Sequence, residues 1–130
     1  MIFDENQVQA LIDRPGETLQ SEIKQWIDPA IAEGAAKIIK AAFALYNRNG
    51  GYLLIGFNDK TLEPDTENAP ADVKAVFHQD IIQGLVARYA SKPFEVQVAF
   101  GERDGNVYPV IAIKPGVQVR QDSADKPTSG

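Results

Sequence analysis

From Thr18 to Lys24, Leu19, Ser21 and Ile23 alternate with the polar Gln20, Glu22 and Lys24. This is the two-residue period of a strand with one buried face, and it sends Glu22 and Lys24 to the same side. Ahead of it, Asp4 to Asp13 has the spacing of a short helix, with Asp4 as N-cap, Val8, Leu11 and Ile12 on one side, and Arg14-Pro15-Gly16 as its stop. After it, Asp28-Pro29 reads as an N-cap followed by a first-turn proline. Ile31, Ala35, Ile38, Ala42 and Leu45 then form the buried stripe of a helix reaching Leu45 or Tyr46, which Gly34 weakens without breaking. Asn49-Gly50-Gly51 supplies residues that tolerate the left-handed conformation of a helix stop. Tyr52 to Phe57 is nearly all apolar, as a central strand should be.

The stretch from Thr61 to Ala71, rich in Pro, Asp and Glu, is a loop. Asp72 to Tyr89 reads as one helix with Val76, Phe77, Ile81, Leu85 and Tyr89 on its apolar side and Pro93 behind it. Phe94 to Phe100 alternates, Arg103-Asp104-Gly105-Asn106 has hairpin turn chemistry, and Val107 to Ile113 returns. Pro109 lacks a backbone donor, which places the returning strand at a sheet edge or at a bulge. The order is (helix)-β-α-β-α-β-β. A strand, a helix of about twenty residues and a second strand make a right-handed crossover, so the first two strands run parallel. The last two form an antiparallel hairpin on the same sheet. The expected fold is α+β, a mixed sheet with two helices packed on it. Residues 1–115 make one domain, and 116–130, poor in apolar residues, read as a mobile tail or the beginning of a linker.

Composition adds mainly exclusions. At 130 residues, 44% hydrophobic, the chain can build one core without staples. No apolar run approaches a membrane span, and Met1 to Asn6 carries acid where a secretory signal would be basic, so a cytoplasmic protein without a membrane partner is expected. The absence of cysteine removes disulfide scaffolds, thiol nucleophiles and iron-sulfur ligation, and a single histidine argues against zinc. Thirteen basic against 18 acidic residues, net −5, argues against coating nucleic acid through bulk charge, so a nucleic-acid role needs a local basic face. Lys37, Lys40 and Arg48 recur at helical spacing and could share such a stripe, and Arg88 and Lys92 repeat the arrangement near the end of the later helix; the ordinary alternative is a pair of solvated helix faces.

The chemistry sits at the strand ends. In a parallel β-α-β unit functional groups gather at the carboxyl ends of the strands, and Asp59 lies just beyond one. Glu17 and Glu22 are five apart, which on a regular strand sends them to opposite faces; they converge only if the chain curls at Pro15-Gly16. Glu17, Glu22 and Asp59 together would need a cation to relieve their repulsion, and Mg²⁺ or Mn²⁺ suits an all-oxygen site, with Lys24 stabilising charge on a scissile phosphate. The alternative is a pair of strand-edge glutamates beside a lysine and a solvent-facing loop aspartate. Asn47 to Gly51 does not read as a phosphate loop, because its glycines follow a helix and enter a strand, and no Gly-Lys-Ser/Thr is present, so no ATP site is recognised. Ser21, Ser91 and His78 build no nucleophilic triad. Trp26 and Tyr46 have rings that stack on a base or pack in a core.

Taken in order, Glu17-x4-Glu22-x-Lys24, the helix ending Ala44-Leu45-Tyr46-Asn47, the block Gly50-Gly51-Tyr52-Leu53-Leu54-Ile55-Gly56, Asn58-Asp59 and the segment from Val107 to Gly116 resemble the Schlafen Alba-like domain family, over residues 12 to 116. The resemblance implies a nucleic-acid-associated α+β domain of the sort found in bacterial transcriptional regulators and defence proteins. It further implies, from members with ribonuclease activity, a metal-dependent cleavage site at Glu17, Glu22 and Asp59, with Lys24 adjacent. Ser21 and Ile23 depart from the apolar and aromatic residues usual at their positions, and the divergent-ATPase part of the family description has no phosphate-binding sequence here. Three functions are therefore expected to compete: a nucleic-acid-binding module for DNA or RNA, a divalent-metal-dependent endoribonuclease, and a protein-interaction or dimerisation domain, with the choice between monomer and homodimer open.

Overall fold

The computed structural model describes residues 5–16 and 20–115. Their elements run α1 (Glu5–Asp13), β1 (Ser21–Lys24), α2 (Ala32–Asn47), β2 (Gly51–Ile55), α3 (Val73–Val76), α4 (Gln79–Tyr89), β3 (Val96–Arg103) and β4 (Asn106–Ile113). The four strands form one mixed sheet in the order β1-β2-β4-β3. The expected α+β class holds: β1 and β2 are parallel, with Glu22 beside Leu53 and Lys24 beside Ile55, and β3 and β4 are an antiparallel hairpin on the same sheet. Its two-residue turn is tight because Asp104 and Gly105 both take positive φ, 53° and 80°, as a turn matched to strand twist requires.

The alternation along the strands divides the core in two. Leu53, Ile55, Ile111, Ile113 and Val96 point to the side covered by α2 and α4, where they meet Ile38, Leu45, Ile82 and Val86. Ile23, Leu54, Phe57, Tyr108, Val110 and Ala112 point to the opposite side and meet Val8 and Ile12 of α1. Both faces of β2 are thus dry, which is why Tyr52 to Phe57 is so apolar. The N-terminal helix packs on the sheet as well, in addition to the two helices expected there.

Several expectations are corrected. Helix α2 begins at Ala32, three residues later than Asp28-Pro29 suggested: the Asp28 carboxylate accepts from the Ala30 N–H at 2.9 Å and closes a turn before the helix starts. Ile31, outside that helix, is 54% exposed, and Ala41 is buried in the stripe. The segment 72–89 is two helices, because Asp72 caps the short α3 and His78 caps α4 by accepting from the Asp80 N–H. That break turns the second helix, so Ile82 and Val86 are buried while Ile81 and Tyr89 are exposed. Finally, Pro109 lies in an interior strand. Its ladder with β2 stops at Leu54 beside Val110, so at Pro109 β4 is paired only with β3, opposite Phe100, and the missing donor coincides with the end of the β2 ladder. The expected cap at Asp4, the strand start at Thr18 and Leu19, and the tail 116–130 lie outside the described residues.

The outer edge of β3 is closed by glutamines. Gln83 accepts from the Val96 N–H and donates to Phe94 O, Gln79 accepts from the Val98 N–H and donates to Val96 O, and Gln9 of α1 accepts from the Glu102 N–H and donates to Glu102 O. Each side-chain amide reproduces the donor and acceptor of a neighbouring strand, which blocks much of that edge as a template for pairing.

Candidate functional site

Parallel pairing of β1 with β2 puts Glu22 and Lys24 on the sheet face that α2 covers, since their partners Leu53 and Ile55 face the same core. α2 then runs back over the sheet with Ala41 and Ala44 toward β1, small enough to let the helix approach, and Lys37 and Lys40 one turn earlier on the same flank. Between β1, the segment after it and α2 lies a groove of about 640 Å³, lined by Glu22, Lys24, Gln25, Trp26, Ile27, Lys37, Lys40, Ala41, Ala44 and Asp59.

Asp59 reaches the groove through the loop after β2. Asn58 folds that loop locally: its side-chain oxygen accepts from the Lys60 and Thr61 N–H groups, while its backbone N–H donates to Glu63 O and its carbonyl accepts from Leu62, whose φ is 66°. The turn leaves Asp59 exposed at its tip, with Gln25 Nε2 donating to Asp59 Oδ1 at a long 3.5 Å. Farther along, the Asp65 N–H donates to Gly56 O, and the Trp26 indole N–H donates to Asp65 O at 2.8 Å. Gly56 has φ 107°, and a side chain there would strike the Trp26 ring at 2.6 Å, so this position must lack one.

The Asp65 carboxyl is held below the usual carboxylate range, chiefly by the Asn68 side-chain amide; partial burial opposes this, and the backbone N–H groups of Asn68 and Glu67 add to it. Because the folded value is depressed, its contribution to stability is present above the unfolded value of about 4 and is lost as the pH falls through the folded one. In thermal melts the advantage of the native chain over Asp65→Asn is therefore expected at neutral pH and should close below about pH 4. A gap that persisted unchanged into strong acid would contradict the assignment.

The sequence-derived residues thus converge in part. Glu22, Lys24, Asp59, Lys37 and Lys40 line one groove. Arg48, the third member of the basic stripe, pairs with Glu22 across 3.6 Å and holds that carboxylate from the α2 side. Lys37 also approaches Glu33 at 3.9 Å, with both side chains largely exposed, a pairing of small energetic weight. Glu17 lies outside the described residues, and among those described no cluster of three or more metal-ligating side chains occurs. Arg88 is drawn over the Tyr89 ring, and Lys92 follows the end of α4. Trp26 and Tyr46 are used in packing: Trp26 stacks on Tyr108 and tilts against Phe77, and Tyr46 stacks on Phe94 with centroids 4.7 Å apart. Sequence reasoning missed Gln25 and Ile27, whose only signal was that they follow a strand carrying Glu22 and Lys24. No described helix is long and apolar enough to cross a membrane.

No family model matches the chain, and a search of curated proteins returned no match.

Proposed function

We propose that the chain is a cytoplasmic nucleic-acid-binding module that receives a phosphodiester backbone along the groove between β1 and α2. The observation that carries this reading is the gathering of Lys24, Lys37 and Lys40 on one groove in a chain of net charge −5, with Arg48 neutralising the neighbouring Glu22. Such a local excess of positive charge binds phosphates by displacing their counterions and needs no positive total. The ordered blocks that resemble the Schlafen Alba-like family support the same reading.

Binding measured by fluorescence anisotropy on short RNA and DNA strands should weaken steeply with salt. In Lys37→Ala/Lys40→Ala the log-log salt slope should fall by about 1.5, at roughly 0.7 to 0.9 for each phosphate no longer neutralised. An unchanged slope in that variant would move the binding surface away from this groove.

A second reading is favoured by one feature, the presence of Glu22, Asp59 and Lys24 in the same groove. Two carboxylates are oxygen donors suited to Mg²⁺ or Mn²⁺, which would supply Lewis-acid activation of a phosphodiester, while Lys24 offers positive charge to the scissile phosphate. Glu17 would be the third donor. On this reading Asp59→Ala abolishes Mn²⁺-dependent cleavage of structured RNA and leaves salt-dependent binding in place, because Asp59 is exposed and only weakly bonded. Intact RNA after incubation of the native chain with either metal would remove the catalytic reading and spare the binding one.

A further inference from the structure

Helix α2 has a groove on each flank. The one assigned to phosphates lies between it and β1, and a second, of about 360 Å³, lies between it and the end of α4. The floor of this second groove is formed by Ile39 and Ala90, which are half-buried and pack against the core. Among the described residues four large hydrophobic side chains are exposed, and two of them, Phe43 at 40% and Tyr89 at 51%, line this groove. Single exposed apolar residues are ordinary on a protein surface, whereas two rings gathered on one concave surface mark a binding site.

The charge around the rings is of one sign. No carboxylate lines the groove, and Lys40 lines both this groove and the basic one, so an ammonium of the phosphate path also stands at the mouth of the apolar cleft. Phe43 follows Lys40 by three residues and is its neighbour on the helix surface, at ~5 to 6 Å between Cβ atoms. On the opposite wall the Arg88 guanidinium carbon lies 5.5 Å from the centroid of the Tyr89 ring. Phe43 is braced from behind by Tyr46 and Phe94, with centroids 6.1 and 6.3 Å away, so its ring is ordered before any ligand arrives.

We propose that this groove receives an unpaired base of a single-stranded nucleic acid, laid against Phe43 and Tyr89 while Lys40 holds the phosphate of the same nucleotide. The inference rests on the nucleic-acid reading of the neighbouring groove and narrows it to single strands, because bases inside a duplex are stacked on one another and offer no free face. Continuity of the two grooves at Lys40 selects this occupant. A polymer that presents an anion and a flat ring at every step matches a cation flanked by rings, whereas a purely apolar partner would cover the ammonium without supplying a counter-charge. Aromatic faces accept every base, so sequence preference should be slight.

Fluorescence anisotropy on three probes of equal length separates base from phosphate: a single strand, an abasic strand with the same number of phosphates, and a duplex. The native chain should bind the single strand about tenfold more tightly than the abasic one. Tyr89→Leu, which keeps apolar bulk and loses the ring, should remove that advantage, with no change in the salt slope or in duplex binding, and Tyr89→Phe, which keeps the ring, should restore it. Lys37→Ala/Lys40→Ala should lower the slope on every probe. A native chain that binds no probe at low salt would remove the nucleic-acid reading and this inference with it. Single-strand binding that depends on Lys37 and Lys40 yet is indifferent to Tyr89 and to the bases would overturn the inference alone. Self-association in sedimentation velocity that Tyr89→Leu abolishes would assign the groove to a second copy of the chain and overturn it equally.

Discussion

Trp26→Ala is expected to cost about 3 kcal/mol of stability, within the range for truncating a large aromatic at a packed site. For a domain of this size that corresponds to a fall of roughly 10 °C in melting temperature. The indole is not deeply buried, yet it joins three parts of the molecule. Its ring lies on Tyr108 with centroids 5.8 Å apart and against Phe77 at 5.9 Å, and its N–H donates to Asp65 O. Asp65 in turn donates to Gly56, so the loop that carries Asp59 is clamped at its far end by this one side chain. Hydrogen exchange should therefore show residues 58–65 opening in Trp26→Ala while the β3–β4 hairpin stays protected. Trp26→Phe, which keeps a stacking ring and loses the N–H, should cost only about 1 kcal/mol. Equal losses in the two variants would show that the hydrogen bond outweighs the packing.

That clamp also marks how far the sequence could be read. The alternation of Ser21 to Lys24 and the apolar run at Tyr52 to Phe57 are local patterns set by burial, and they led directly to parallel neighbours with Glu22, Lys24 and Asp59 at one end. Lys37 and Lys40 followed from helical spacing. Asp28 misled because a carboxylate that accepts an N–H two residues on can close a turn or cap a helix, and the residues alone do not distinguish the two. The break at His78 was hidden for a similar reason: imidazole nitrogen seldom caps a helix, and without the break Ile81 has the better spacing to be buried. The glutamine bonds along β3 join residues up to 93 positions apart, so no window of sequence contains them. Interior placement of Pro109 was equally hidden, since it depends on where the β2 ladder stops and not on the strand that holds the proline.

Gly34→Ala should destabilise the chain by about 2 kcal/mol, the opposite of what helix propensity predicts. Within a helix, alanine is favoured over glycine by about 1 kcal/mol, and Gly34 lies near the start of α2. A Cβ at this position would stand only 2.0 Å from the Asp28 carbonyl oxygen and 3.0 Å from Ile27 Cγ2. The nearest obstacle is backbone, which cannot swing aside as a flexible side chain does, so the turn at 28–31 or the first turn of α2 must move, at a cost of roughly 1 to 3 kcal/mol or more for overpacking. The exposed Ala36 provides the contrast: Ala36→Gly should lose about 1 kcal/mol through propensity alone. Urea unfolding of the two variants reads both effects, and a stabilised Gly34→Ala would mean that the turn lies farther from the helix. The same movement would reach the groove, because Ile27 ends the segment that follows β1 while Lys37 projects from the next turn of α2. Gly34→Ala is thus expected to weaken nucleic-acid binding without changing any charge, with a salt slope close to that of the native chain, whereas Lys37→Ala/Lys40→Ala lowers the slope itself. That difference separates disturbed groove geometry from a shortage of positive charge facing the phosphates.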